Sequence, residues 1–220
     1  MRVAPATRAA AWLRWLEMVL LAVAVGSLSW VARSHIAAAR DQANWAEELE
    51  TQLSAAAASA ASPGGVNPAP AWNTGAHPAA GRGVIGRLEL PRLQLSVMTR
   101  EGTDAATLRR AVGHVPRTAL PGEPGNAAFA GHRDTFFRKL RDVKRGDDIL
   151  ITTARGRHRY VVRETRVVQS TDVSVLDPTD AAVLTLVTCY PFNYIGPAPE
   201  RFIVRAELVT AAAERRTLFQ

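Results

Sequence analysis

Cys189 is the only cysteine in the chain and sits in the run VLTLVTCYPF. A thiol acts as a nucleophile only when it becomes a thiolate, and a thiolate needs a cationic neighbour. The alternative is a buried thiol serving as a small hydrophobe, a common fate for a free cysteine. One cysteine also excludes an intramolecular disulfide and any CxxC metal or redox site. Five histidines could supply the partner. His35 and His77 lie in polar or Pro/Gly-rich sequence. His158 sits between Arg157 and Arg159 and reads as exposed, while His114 follows Gly113 and reads as a supporting or structural residue. His132 closes the apolar run NAAFAG and opens HRDTFF, a strand-to-loop change like the one at Cys189. On its own it reads equally well as a satisfied structural histidine or as an acid/base. Arg201 follows Cys189 by a dozen residues and opens RFIV. Two adjacent strands joined by the intervening loop would set it across from the thiol. There its charge could offset an oxyanion, although any one of 25 arginines is more often a surface cation.

The elements that must position these groups are short. GVIGRLELP and LQLSVM alternate apolar and polar residues and read as strands separated by Pro91. AATLRRAVG reads as a helix over 105–113, capped by Thr103 or Asp104 and stopped by Gly113. NAAFAGH reads as a brief strand, DDILITTARGRHRYVVRETRVV as a hairpin turning at Arg155 and Gly156, and VLTLVTCY and RFIVRAELV as two further strands. Many strands, one or two short helices and no βαβ alternation predict a mainly β fold, a closed barrel or a sandwich.

The N-terminal third has a different character. Residues 15–32 carry a single charge, Glu17, across 18 residues. That length lies within the ~17–25 residues of one membrane crossing. Trp12, Trp15 and Trp30 sit near its ends, basic residues precede it and acidic residues follow. This pattern places the N-terminus inside and the rest outside the cytoplasm. A cleaved secretory signal is the second reading, disfavoured because no clean small-x-small site follows. The organisation read from this is a cytoplasmic N-terminus over 1–14, a transmembrane signal-anchor over 15–32, a helical stalk over 33–61, a Pro/Gly linker over 62–82 and a folded β domain over 83–220.

The net charge of +7 does not point to nucleic acid. Basic residues are scattered, no run of five like charges occurs, and no basic stretch is interleaved with aromatics, so a solvated basic surface accounts for it.

Taken together, TLVTC, AGHRDTFF and an arginine opening a strand a dozen residues later resemble the sortase family, from about residue 83 to 209. IGRLELPRL is similar to the family's opening strand. GHRDTFF and CYPFNYIGPAPERFIV look most like class D. The resemblance implies an eight-stranded sortase-type β-barrel behind one N-terminal transmembrane helix. It implies a cysteine transpeptidase with Cys189 as nucleophile, His132 as acid/base and Arg201 as oxyanion or substrate-orienting cation. Val173, Val175 and Leu176, in the connection before TLVTC, are the expected apolar grip on a Leu-Pro-x-Thr-Gly-like sorting signal, with Thr188 beside the nucleophile. The implied partners are secreted proteins bearing that signal, an amine acceptor of the cell envelope, and the membrane. No cofactor or metal is implied, and no aromatic plug of the pilus-polymerising class precedes the barrel. A thiol peptidase that only hydrolyses, and a non-catalytic envelope-binding β-domain, remain as alternatives.

Overall fold

The computed structural model describes residues 6–60 and 83–209. The linker expected over 62–82 and the last eleven residues lie outside the described residues. The chain divides into two compact units, Met1–Asp41 and Gln42–Gln220.

Helix α1 runs over Ala6–Ala60. Within the first unit it holds a stretch long and apolar enough to cross a membrane. Trp12, Leu13, Trp15, Met18, Leu20, Leu21 and Leu28 are all exposed there. A helix that is apolar all round belongs in a dry surrounding.

The second unit is a closed barrel of eight strands in the order β1-β2-β3-β4-β7-β8-β6-β5. Its strands are β1 Val84–Leu90, β2 Leu95–Glu101, β3 Val112–His114, β4 Gly125–Ala130, β5 Asp148–Thr153, β6 Gly156–Gln169, β7 Ala182–Tyr190 and β8 Glu200–Leu208. The mainly β architecture is that expected from strand patterning, and the closed eight-stranded barrel is the one the family resemblance implies. Alternation sets the faces: Leu88 and Leu90 of β1, Ile149 and Ile151 of β5, Tyr160 and Val162 of β6, and Leu184 and Leu186 of β7 fill the interior with Phe129. β7 is buried from Val183 to Leu186, because β4 and β8 flank it and both faces are covered.

Two local readings are corrected. Helix α2 spans only Ala105–Leu108; of the residues expected to extend it to 113, 109–111 form a turn and Val112 and Gly113 enter β3. Asp104 does cap α2, accepting from the Ala106 and Thr107 amides. Past it, pairing wins over helix propensity: Val112 faces Thr99 of β2 and Gly113 faces Ala130 of β4. Gly113 is required by close approach, since a Cβ there would lie 2.2 Å from the Gly102 carbonyl oxygen. Residues 42–60 also differ from a free-standing stalk, for they group with the barrel. Leu49 is fully buried, the Gln42 side chain bonds the Met98 amide and the Arg110 carbonyl, and Arg100 lies over the Trp45 ring at 4.5 Å.

Candidate active site

Three strand ends meet at one rim of the barrel. β4 and β7 run parallel, with Ala130 opposite Val187. The pairing continues past the strand, as the Gly131 amide donates to the Val187 carbonyl at 3.1 Å. One residue further on each chain, the Thr188 hydroxyl donates to the Gly131 carbonyl at 2.7 Å. His132 and Cys189 are the next residues of these two tied segments, so parallel register draws together groups 57 positions apart in sequence. β8 runs antiparallel to β7 and places Arg201 directly opposite Cys189. β6 completes the row, with Val168 opposite Arg201 on its other side.

The immediate supports are specific. Gly131 leaves room for Phe137, whose ring a Cβ would meet at 2.8 Å, and Phe137 and Leu140 are fully buried beneath the loop that carries His132. Cys189 is half-buried and His132 is exposed, so both are accessible to a substrate. Arg201 donates through Nη1 to the carbonyls of Ala198 at 3.1 Å and Glu200 at 2.8 Å. That bracing holds the guanidinium beside its own backbone and leaves Nη2 and Nε free of hydrogen bonds among the described residues. Tyr190, Phe192 and Phe202 stack and cross one another at 5.3–6.3 Å, bracing the loop that joins Cys189 to Arg201.

The remaining sequence candidates separate. Thr188 is buried and its hydroxyl is committed to Gly131, so its side chain joins strands rather than meeting a ligand. In the β6–β7 connection Val173 is 69% exposed, Leu176 is half-buried and Val175 is 4% exposed. Val175 therefore packs, and Val173 is the apolar side chain that this loop presents.

His114 is fully buried, with Nδ1 2.7 Å from Glu101 and Nε2 2.9 Å from the Ala119 carbonyl, away from the thiol. His158, expected to be exposed, is half-buried beneath Gly122. Burial holds its imidazole below the ordinary histidine range.

Two residues escaped the sequence reading. Asn126, at the start of β4, is buried; its amide nitrogen donates to the Val175 and Asp177 carbonyls at 2.9 and 3.1 Å. Its oxygen accepts from the Thr185 hydroxyl at 2.7 Å, so it fastens the β6–β7 connection to the barrel wall. Arg133 does the same for the β7–β8 loop. In sequence, Asn126 follows Pro-Gly and reads as a turn residue, and Arg133 is one arginine among 25.

Known proteins resemble this chain in sequence and in fold. A protein-family model, Sortase domain, matches residues 88–209. The chain is 36% identical over 126 residues to Sortase D of Bacillus subtilis, covering 57% of this chain and 64% of that protein. It is 34% identical over 129 residues to Sortase A of Listeria monocytogenes, covering 57% of this chain and 56% of that one. The chain thus spans less than two thirds of the length of either relative. Among solved structures, a Clostridium perfringens Sortase D5 transpeptidase superposes with a TM-score of 0.54 at 31% identity, covering 58% of this chain and 80% of that one. A lid mutant of Sortase A from Corynebacterium diphtheriae gives 0.55 at 33%, covering 61% and 74%. The class D likeness read from GHRDTFF agrees with two of these four. With the family match spanning more than half of its residues and the barrel, strand order and tied strand ends in place, this chain belongs to the sortase family.

Proposed function

We propose that this protein is a membrane-anchored cysteine transpeptidase that cuts a Leu-Pro-x-Thr-Gly-like sorting signal after its threonine and transfers the protein to an amine of the cell envelope. The observation that carries this reading is the meeting of β4, β7 and β8, which sets Arg201 opposite Cys189 and ties the segments holding Cys189 and His132.

In this scheme the Cys189 thiolate attacks the threonine carbonyl carbon and a new C–S bond forms. The oxyanion develops beside the Arg201 guanidinium, whose positive charge offsets it. As the C–N bond breaks, protonated His132 gives its proton to the departing amine. The acceptor amine then attacks the thioester carbon, its proton passes to His132, and the C–S bond breaks to restore the thiolate. Val173 and Leu176, on a connection fastened by Asn126, form the apolar grip on the signal's Leu-Pro end. The apolar stretch of α1 is the anchor, with the catalytic domain outside the cytoplasm, where wall-bound acceptors and signal-bearing proteins are found.

The test is mass spectrometry of the protein after exposure to a panel of sorting peptides, with and without amines. A thioester on Cys189 that gives way to an amide product on adding amine supports transfer. Conversion to free acid alone, whatever amine is present, favours a hydrolytic thiol peptidase.

A further inference from the structure

Arg133 follows His132 directly and reaches into the loop between β7 and β8. Its Nη2 donates to the Tyr194 carbonyl at 2.6 Å and to the Gly196 carbonyl at 3.0 Å, and its guanidinium lies 5.9 Å from the centre of the Tyr194 ring. Its Nη1 is buried and makes no hydrogen bond among the described residues. A surface arginine normally avoids such an orphan donor by turning into water. Here the two charge-assisted bonds and the aromatic contact hold it in place.

The loop it grips lacks other internal support at that point. Residues 193–197 are exposed, Ile195 is 97% exposed and Tyr194 46%, and among the described residues the one backbone bond closing this stretch runs from the Tyr194 amide to the Pro191 carbonyl at 3.3 Å. The same loop leaves β7 at Tyr190, the residue after Cys189, and enters β8 at Glu200, the residue before Arg201. A cation beside His132 thus fixes the path of the chain that joins the other two members of the site.

We infer that Arg133 is a positioning residue that clips the β7–β8 loop against the His132 segment, holding Tyr194 and Ile195 as an apolar lip on which a peptide substrate is seated beside Cys189. The inference rests on the transpeptidase reading above for the identity of the substrate, but the clip itself does not. Arg133 touches no reacting atom in this scheme. Its loss therefore acts on substrate seating and leaves the thiol chemistry alone.

The experiment compares the full chain with Arg133→Ala, Arg133→Lys and, as a control, Arg138→Ala, a neighbouring exposed cation. Limited chymotrypsin digestion, with the cut located by mass spectrometry, reads the loop at Tyr194. Arg133→Ala is expected to speed that cut at least about tenfold, since it loses both Nη2 bonds and one charge-assisted hydrogen bond alone sets a factor of that order. It should raise KM for a sorting peptide by about the same factor, with kcat within about twofold of wild type. The alkylation rate of Cys189 by iodoacetamide and its pH profile should not move. Arg133→Lys should fall between, because an ammonium keeps the charge but not the fork, and Arg138→Ala should match wild type in every readout. A folded Arg133→Ala with unchanged cutting at Tyr194 overturns the clip, and faster cutting with unchanged KM overturns the lip. If Arg133→Ala does not fold, Arg133→Lys decides on the same criteria. If the wild-type chain forms no adduct with any sorting peptide, the transpeptidase reading and the substrate lip fall together, while the digestion still decides the clip.

Discussion

Cys189 and Arg201 face each other across the β7–β8 pair, separated by a dozen residues along the chain and by one rung of the sheet in space. Directly opposed strand residues stand about 4.5–5.5 Å apart at Cβ, within reach of a long side chain. The loop between them is braced at its root by the Tyr190, Phe192 and Phe202 cluster. Arg201 is held by two carbonyls of that loop. The spacing between the two backbone positions is thus set by strand pairing.

The nucleophile is the first point to check. Cys189→Ala and Cys189→Ser should fold as the wild type does and abolish acyl transfer, because the chain holds no other thiol. Turnover of a sorting peptide by purified Cys189→Ala, followed by chromatography, would remove the proposed chemistry.

Arg201 can be separated from charge in general. Losing one positioned oxyanion donor costs roughly 10²–10³ in rate. Arg201→Ala should lower acylation by about that factor, and Arg201→Lys should recover little because the planar fork is lost. Arg205 is the control, four residues along β8 and opposite Thr185 and Glu164 rather than Cys189. Arg205→Ala should acylate within about threefold of wild type, the scale of an ordinary surface change. Near-normal acylation by Arg201→Ala with a dead Arg205→Ala would show that the wrong cation has been chosen.

The β6–β7 connection offers a contrast between packing and contact. Val175→Asp buries a charge in a packed site and should lower Tm sharply, taking activity with it. Asn126→Ala strips the bonds from two loop carbonyls, a loss of about 1–3 kcal/mol for each group left unpaired, and should also lower Tm. Val173→Asp changes an exposed side chain, so its Tm should stay close to wild type while peptide processing falls. Thermal unfolding and peptide turnover measured on the same samples distinguish the three. An equal fall of both quantities in Val173→Asp would assign that residue to packing.

How much of this was legible in the sequence follows from what sets each feature. Period-two alternation exposed β1 and β2, because each turns one face to a single core, while β7 was legible as a continuous apolar run. β3 was hidden, because three residues carry too little pattern and its conformation is decided by β2 and β4 on either side. Cys189, His132 and Arg201 stood out by type and by their places at strand ends. Arg133 and Asn126 did not, because both act through backbone carbonyls of distant loops, and carbonyls leave no mark on composition. The docking of residues 42–60 was likewise unreadable. Helix propensity reports the helix but not the barrel wall on which Leu49 and Trp45 settle.

His158 gives the barrel a distinct acid sensitivity. Its ring lies under Gly122, where a Cβ would meet it at 2.2 Å, and its Nε2 is buried without a hydrogen-bond partner among the described residues. Nearby, the Tyr160 hydroxyl accepts from the Gly122 amide and Arg155 pairs with Glu123, so the surrounding groups are already engaged. Burial lowers the His158 pKa from its ordinary value of 6.5. Between the lowered folded value and 6.5 the unfolded chain binds a proton that the folded chain does not, so stability rises with pH through that window. Tm should therefore be higher at neutral pH than on the acid side of 6.5, and the loss should level off once pH passes below the folded value. The carboxyl of Asp147, held down by its hydrogen bond from Arg92, and that of Asp172, held down by Ser174, act in a lower window beginning near 3.8. There stability is lost only as pH falls further, so the two effects do not overlap at mildly acid pH. His158→Gln keeps a neutral polar group in the same place and removes the titration. Subtracting its Tm-against-pH curve from that of wild type should leave a step confined to the region just below pH 6.5, with wild type relatively weaker on the acid side. A flat difference across that region would mean that His158 is equally solvated in the folded and unfolded chains.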